Sequence, residues 1–531
     1  MKKSLVPFNE THQFSAMVDD YLSGDEKLRP FYKHLPDPES MRQAIDDKRL
    51  VPINRRVLHE CLIQQYGDLL NNSQKSSETV KNGINKLLDE NTFTVTTGHQ
   101  LNLFTGPLYS IYKIATTISL AGEIQRMHPQ YQIVPVFWMA SEDHDFAEIN
   151  HARIYTKTIS WNREAKGPAG RLKMDDFNPV LEEFKSIVGD QQEIINLFEN
   201  AYASSANLAE ATRKIIHALF GSYGLVVIDG DDEKLKRLFI GEMKTDLLDH
   251  LAFEKVTSQS AKLGKNYKVQ VQPREINLFY IEDNLRERIV KEDAVYKVLN
   301  TEIKFSESDI LKELDQHPEK FSPNVVLRPL YQEKILPNLA YIGGPGELNY
   351  WLEYKTYFEA SGISFPVLFL RNCMMIIDSP TWKKMQKLGL TIEDIFQSTD
   401  FLVLKILESS TDVHVGTEAY AAVIQKAFSG LSEQFSKLDA SLLPAIEGEK
   451  HKALTGIKMI EEKGRRALKK KNENLVNQLK NLKEKLFPEG GLQERKDNFV
   501  PYYISSGPGF IEEILKNTEP FQKKFIVLVD E

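Results

Sequence analysis

Cysteine is nearly absent. The 531 residues include two, Cys61 and Cys373, far apart and in no CxxC pair. That argues against a disulfide framework and a thiolate zinc site and fits a reducing compartment. Long apolar runs are missing as well: none approaches the roughly 18 residues needed to cross a bilayer. The opening MKKSLVPFNETH has no apolar segment behind its lysines, so no secretory signal is expected. Nor is positive charge in excess, with 67 Lys and Arg against 75 Asp and Glu, a formal net charge of −8. A general nucleic-acid or membrane binder would more often be basic. There is no internal repeat and no low-complexity tract. What remains is an ordinary globular composition, 41% hydrophobic and 27% charged, long enough for about three units of roughly 150 residues. The expectation is a soluble cytoplasmic protein without nucleic-acid or membrane partners.

Residues 1–90 read as helices, with Met17, Val18 and Tyr21 at helical spacing. Apolar strand candidates follow at Phe93–Thr96, Ile133–Trp138, Leu225–Asp229, Leu339–Ile342 and Phe365–Leu370. They are apolar without alternation, as in a parallel sheet covered on both faces. A helix is expected to begin near Pro107, since proline suits a first turn, with Leu108, Ile111, Ala115 and Ile118 on its buried face. Strands alternating with helices imply a doubly wound α/β core. Alternating stretches at Tyr267–Gln272 and Asn277–Ile281 mark an inserted α+β segment over about 255–320, and another insertion is expected over about 151–220. The core with its N-terminal helices is expected over 1–380. From 381 to 490 the pattern is helical. Leu468, Leu475, Leu479, Leu482 and Leu486 form a heptad seam beside a basic run, Arg465–Lys471, that reads as a solvated face. Pro488 and Gly490-Gly491 stop it. Residues 491–531 end in Phe525–Val529, a strand that would return to the core sheet.

Polar residues gather beyond the apolar strands, where ligands bind in open parallel sheets. Gly98-His99, then Gly106 and the helix start, suit an anion such as a phosphate, with Lys113 one turn into that helix. His99 would stabilise the charge. Gly343, Gly344 and Gly346 form a glycine turn after a core strand, suited to a phosphate or adenine. Asp143, His144, Asp145, Glu148 and His151 form an acid-rich cluster that is costly unless something positive binds there. If that segment is helical, His144, Glu148 and His151 share one face, a candidate metal set for a hydrolase. Arg274, Asn277, Asn324 and Arg328 offer groups for carboxylates or phosphates. Cys373 reads as a core residue.

The stretches TGHQLNLFTGPLYSIYK, VPVFWMASEDHDFAEINH, QPREINLFYI, FSPNVVLRPLYQEKILPNLAYIGGPGELNYWLEYK and FPVLFLRNCMMII closely resemble the bacillithiol biosynthesis cysteine-adding enzymes, the BshC family. That resemblance covers most of the chain. It implies a ligase that joins the carboxyl of cysteine to the amine of glucosaminyl-malate, forming an amide in the last step of bacillithiol synthesis. It also implies a Rossmann-like core resembling class I aminoacyl-tRNA synthetases, with connecting insertions and an α-helical coiled-coil domain for homodimerisation. Amide formation from a free carboxylate needs activation, most simply with ATP, for which Mg2+ is the natural companion ion. Under this reading His99, Asp143, His144 and Asp145 are catalytic. Gly98, Gly106, Lys113, Gly343, Gly344 and Gly346 hold the nucleotide, and Glu148, His151, Arg274, Asn277, Asn324 and Arg328 hold substrate. Of the synthetases' His-x-Gly-His signature only Gly98-His99 is present. Two other readings stand beside it: a metal-dependent hydrolase built on His144, Glu148 and His151, and a coiled-coil adaptor whose core only binds nucleotide.

Overall fold

The computed structural model describes residues 1–410 and 416–531. These fall into two compact units, one formed by residues 3–375 with 493–526, the other by 376–492 with 527–531. Residues 411–415, part of the span read as helical, lie outside the described residues.

In the first unit the five apolar runs are strands of one sheet. Its order is Val367–Leu370, Asn338–Gly343, Thr92–His99, Gln132–Met139, Val226–Asp229, and every pairing is parallel. The strands are buried almost throughout, which is why their sequences lack alternation. Strand order reverses between Thr92–His99 and Asn338–Gly343, the topological switch point where such sheets open a crevice. The helices Pro38–Arg49 and Tyr109–Met127 supply Met41, Ile45, Leu120 and Ile124 to the core against Phe93, Val95 and Phe369.

The helix expected near Pro107 starts at Tyr109. Before it, Phe104, Thr105 and Gly106 all have positive φ, a conformation that strains the first two. Gly106 is needed there, since a Cβ would lie 2.6 Å from that of Asn102. The loop is held by Asn498, whose Nδ2 donates to the carbonyls of Phe104 (2.8 Å) and Gly106 (2.7 Å). Gly106 is therefore a turn residue of this loop.

The segment after residue 255 contains a five-stranded antiparallel sheet, ordered Lys304–Phe305, Val295–Val298, Leu285–Glu292, Leu278–Glu282, Phe321–Pro323. Tyr267–Gln272, expected as a strand, is not one. The N–H groups of Gln270 (2.8 Å) and Val271 (3.3 Å) donate to the Glu353 carboxylate instead of to a ladder. The final strand, Lys524–Val529, does not enter the parallel sheet. It lies between Lys2–Pro7 and Met374–Ile377 in a separate three-stranded sheet.

The second unit is helical. Its leucine seam is not one helix: Leu443–Lys471 and Glu473–Leu486 break at Asn472, which leaves helical geometry and returns its side chain to the Leu468 carbonyl at 2.9 Å. Leu479, Leu482 and Leu486 are buried where their helix packs on Thr399–Ser410. This part of the seam is thus satisfied within the chain. The antiparallel-type partner helices Glu418–Ser436 and Leu443–Lys471 pack on each other but leave Tyr420, Val423, Leu438, Met459 and Ile460 exposed. Among the described residues no helix is long and apolar enough to cross a membrane.

Candidate functional site

A cavity of about 450 Å³ opens beyond the carboxyl end of the Gln132–Met139 strand. Its floor is Trp138–Asp143. The inserted sheet and its flanking loops supply Gln272, Arg274, Asn277, Phe279, Arg286, Arg288, Asn324 and Arg328. Four guanidinium groups thus face two acids, Glu142 and Asp143.

Arg286 is the best-fixed arginine. It lies 4.0 Å over the Phe279 ring, and Nη1 is 2.8 Å from His144 Nδ1. A guanidinium only donates, so Nδ1 accepts and His144 carries its proton on Nε2. The 3.7 Å approach of the same nitrogen to Asp143 is then a contact and not an ion pair. Arg328 gives Nη1 to Gln332 Oε1 at 3.1 Å and stacks over Tyr341. The side chains of Arg274 and Arg288 have no partner among the described residues.

Asn277 and Asn324 line the cavity but spend their amides on the scaffold. Asn277 gives its backbone N–H (2.6 Å) and Nδ2 (3.1 Å) to Asp246, and its Oδ1 accepts from Arg274 N–H and Asn324 Nδ2, both at 3.1 Å. Asn324 Oδ1 accepts the Val326 and Leu327 N–H groups. No cation stands beside Asp246 among the described residues, and burial pushes its carboxyl up to about 7.

Asp143 is the opposite case. Burial disfavours its charge, but the His144 side chain beside it, the Gln100 Nε2 donor (2.7 Å), the Arg286 charge and the Asp145 N–H hold the carboxyl well below the usual range. Glu148 shares Gln100 at 2.8 Å. Glu148, His144, Asp145 and His151 are exposed. His151 begins a short strand, His151–Ile154, while only Phe146–Ile149 is helical. His144, Glu148 and His151 therefore do not share a helix face. Among the described residues no group of three or more His, Cys, Asp and Glu is placed to hold a metal ion. The metal-hydrolase reading loses its ligand set.

A second constellation fills the switch point. Lys113, 2% exposed, donates to the Gly98 carbonyl and to Glu347 Oε2, the latter at 2.7 Å. Glu347 also accepts the Tyr341 hydroxyl (2.6 Å) and the Gly344 N–H (2.8 Å). Burial opposes its charge, and Lys113 overrides this and lowers its pKa. Gly343, Gly344 and Gly346 thus lead into a helix, Pro345–Trp351, whose amino end already holds the chain's own carboxylate. A phosphate placed there would meet that negative charge. As arranged, the Gly344 N–H at this helix start is taken by Glu347, whose charge Lys113 balances. His99, beside this cluster, packs edge-on to Tyr109 at 5.2 Å. Its Nε2 is buried and unpartnered among the described residues, and burial, with Lys113 nearby, pushes it down to about 3. It is a neutral imidazole at physiological pH.

Two family models together match nearly all of this chain. Residues 1–372 match the bacillithiol biosynthesis BshC N-terminal Rossmann-like domain, and 374–529 match the BshC C-terminal coiled-coil domain. The chain belongs to the BshC family. Relatives carrying the name "Putative cysteine ligase BshC" include those of Flavobacterium psychrophilum, 41% identical over 99% of each chain, and Flavobacterium johnsoniae, 40% identical over 99% of this chain and 100% of the other. The same name is borne by a Salinibacter ruber protein, 30% identical over 94% and 92%. A solved Campylobacter jejuni chain, provisionally described as an arginyl-tRNA synthetase, aligns at 11% identity and TM-score 0.21, covering 87% and 95%; that likeness is too slight to argue from.

Within this BshC fold, sequence reading found Asp143, Arg274, Asn277, Asn324 and Arg328 of the cavity. Arg286 and Arg288 belong to the same arginine-rich group in the sequence and Glu142 to the acid-rich cluster, without an individual role for any of the three. The signal was there: Arg286 and Arg288 alternate on one strand, Leu285–Glu292, and so share a face. Arg371 and Glu494 were missed. They form a bidentate pair at 2.7 and 2.9 Å, fully buried, and nothing local links positions 123 residues apart.

Proposed function

We propose that this protein joins the carboxyl of L-cysteine to the amine of glucosaminyl-malate, giving bacillithiol in the last step of its synthesis, with a nucleoside triphosphate activating the carboxyl. One observation carries this beyond the family: the cavity opposes four arginines to two acids. A dicarboxylate bearing an amine is the complement of that arrangement, the malate carboxylates meeting Arg274, Arg286, Arg288 and Arg328 and the amine meeting the acids. Arginine forks suit carboxylates bidentately. The cytoplasm is the compartment in which both cysteines, free and buried, stay reduced.

The test is incubation with cysteine and glucosaminyl-malate, with and without ATP and Mg2+, and mass spectrometry for bacillithiol. No product under any nucleotide or divalent-ion condition would end the ligase reading.

The exposed Tyr420, Val423, Leu438, Met459 and Ile460 favour a homodimer formed through these helices, because large apolar side chains left in water invite a partner. Val423→Asp with Ile460→Asp should convert a dimer to a monomer in sedimentation velocity. An unchanged sedimentation coefficient would place the dimer contact elsewhere or remove it.

A further inference from the structure

Four acids stand near the cavity, and three are poor bases. Asp143 is held ionised by its donors. Asp145 and Glu148 are exposed and outside the lining. His144, the neutral alternative, has Nδ1 occupied by Arg286 at 2.8 Å. Glu142 is different. It lines the cavity, its side chain is 12% exposed, and Oε1 is the buried oxygen, 2.6 Å from Lys236 Nζ. At 2.6 Å between opposite charges this is an ion pair. The other oxygen has no partner among the described residues.

Lys236 is itself fully buried. It is shared between Glu142, Asp231 at 3.1 Å and the Glu319 carbonyl at 3.1 Å. Asp231 is in turn gripped by Arg171 through Nε (2.7 Å) and Nη2 (2.9 Å). A buried lysine is costly unless its charge is matched. Here two acids and a carbonyl match it, and its position fixes the Glu142 carboxylate toward the open cavity. The charged and titratable groups acting on Glu142 are Lys236, Asp231 and Arg286, with Arg171 and Tyr331 behind them.

We infer that Glu142 is the catalytic base of amide formation, taking the proton from the aminosugar nitrogen as it attacks the activated cysteine carbonyl, with Lys236 as its positioning residue. The inference rests on the ligase reading and names a residue for its second half. The co-reactant is cysteine activated as an acyl phosphate or acyl adenylate. The nitrogen lone pair forms the C–N bond. The bond from the carbonyl carbon to the phosphoryl oxygen breaks, and its electron pair leaves with that oxygen. The proton shed by nitrogen passes to the free Glu142 oxygen and from there to water. Burial pushes the Glu142 carboxyl up, offset in part by Lys236, which makes it a better proton acceptor than Asp143 at the same mouth.

Hydroxylamine separates the roles, because it is uncharged at neutral pH and attacks activated acyl groups without a base. Wild type should form bacillithiol with glucosaminyl-malate and cysteine hydroxamate with hydroxylamine. Glu142→Gln should lose about 100-fold or more of the first while keeping the second within a few-fold, and Glu142→Asp should retain more bacillithiol synthesis than Glu142→Gln. Lys236→Met removes a charge that favours the Glu142 anion, so the acid limb of kcat/KM should move to higher pH. Unchanged bacillithiol synthesis in Glu142→Gln overturns the inference. So does equal loss of both products with an unchanged melting temperature, which would make Glu142 part of cysteine activation. A wild type that forms hydroxamate but no bacillithiol refutes glucosaminyl-malate as acceptor and this role with it. A wild type that forms neither refutes the ligase reading itself.

Discussion

Two polar clusters lie beyond the carboxyl ends of strands in the same parallel sheet, and their charges are spent differently. At the switch point Lys113, Glu347, Tyr341 and the Gly344 N–H consume one another. In the adjoining cavity Arg274 and Arg288 have no side-chain partner among the described residues, and Glu142 keeps an oxygen free. Both stretches carry histidine and charge in sequence. A buried charge must be compensated somewhere. Where the chain supplies the partner, the polar group is scaffold. Where it does not, the group is held for a ligand.

The largest test of that contrast is Glu347→Gln. Removing one partner of a buried pair costs about 3–5 kcal/mol, so chemical denaturation should show a loss of that size. A variant of native stability that has lost turnover would mean that the switch point is the active crevice. Arg286→Ala comes next. Losing a charge-assisted hydrogen bond to substrate is worth about 1.5–3 kcal/mol, so KM for glucosaminyl-malate should rise by about 10- to 150-fold while stability stays near native. An unchanged KM would remove the arginine wall from substrate binding.

Asp246→Ala leaves the two Asn277 donors unsatisfied, at about 1–3 kcal/mol, and loosens the Arg274–Asn277 loop. Reduced stability with a higher KM is expected; equal kinetics would show that the loop does not need this anchor. The last effect is a slope. His99 is held down to about 3 against about 6.5 when unfolded. As pH falls from about 6.5 towards 3, the unfolded chain takes a proton that the folded chain refuses, so stability declines. His99→Gln should flatten that decline. An identical slope would show His99 protonating freely, and so open to a ligand.

Much of the core was readable because its rules are local. Five apolar runs without alternation announced five parallel strands. The misreadings share one cause, a local pattern overruled by a distant group. Tyr267–Gln272 alternates like a strand, yet Glu353 takes its N–H groups. Leu468–Leu486 repeats like one heptad helix, yet Asn472 interrupts it. His144, Glu148 and His151 are spaced for one helical face, yet the helix there is a single turn.

The residues themselves determined the α/β class, the helical second part and the family, because periodicity and long motifs are properties of the chain. Only the tertiary structure decided which charges are spent. Lys113 meets Glu347 across 234 residues and Glu142 meets Lys236 across 94. The free energy of a buried charge depends on the partner that folding brings within about 3 Å, and no spacing along the chain records that.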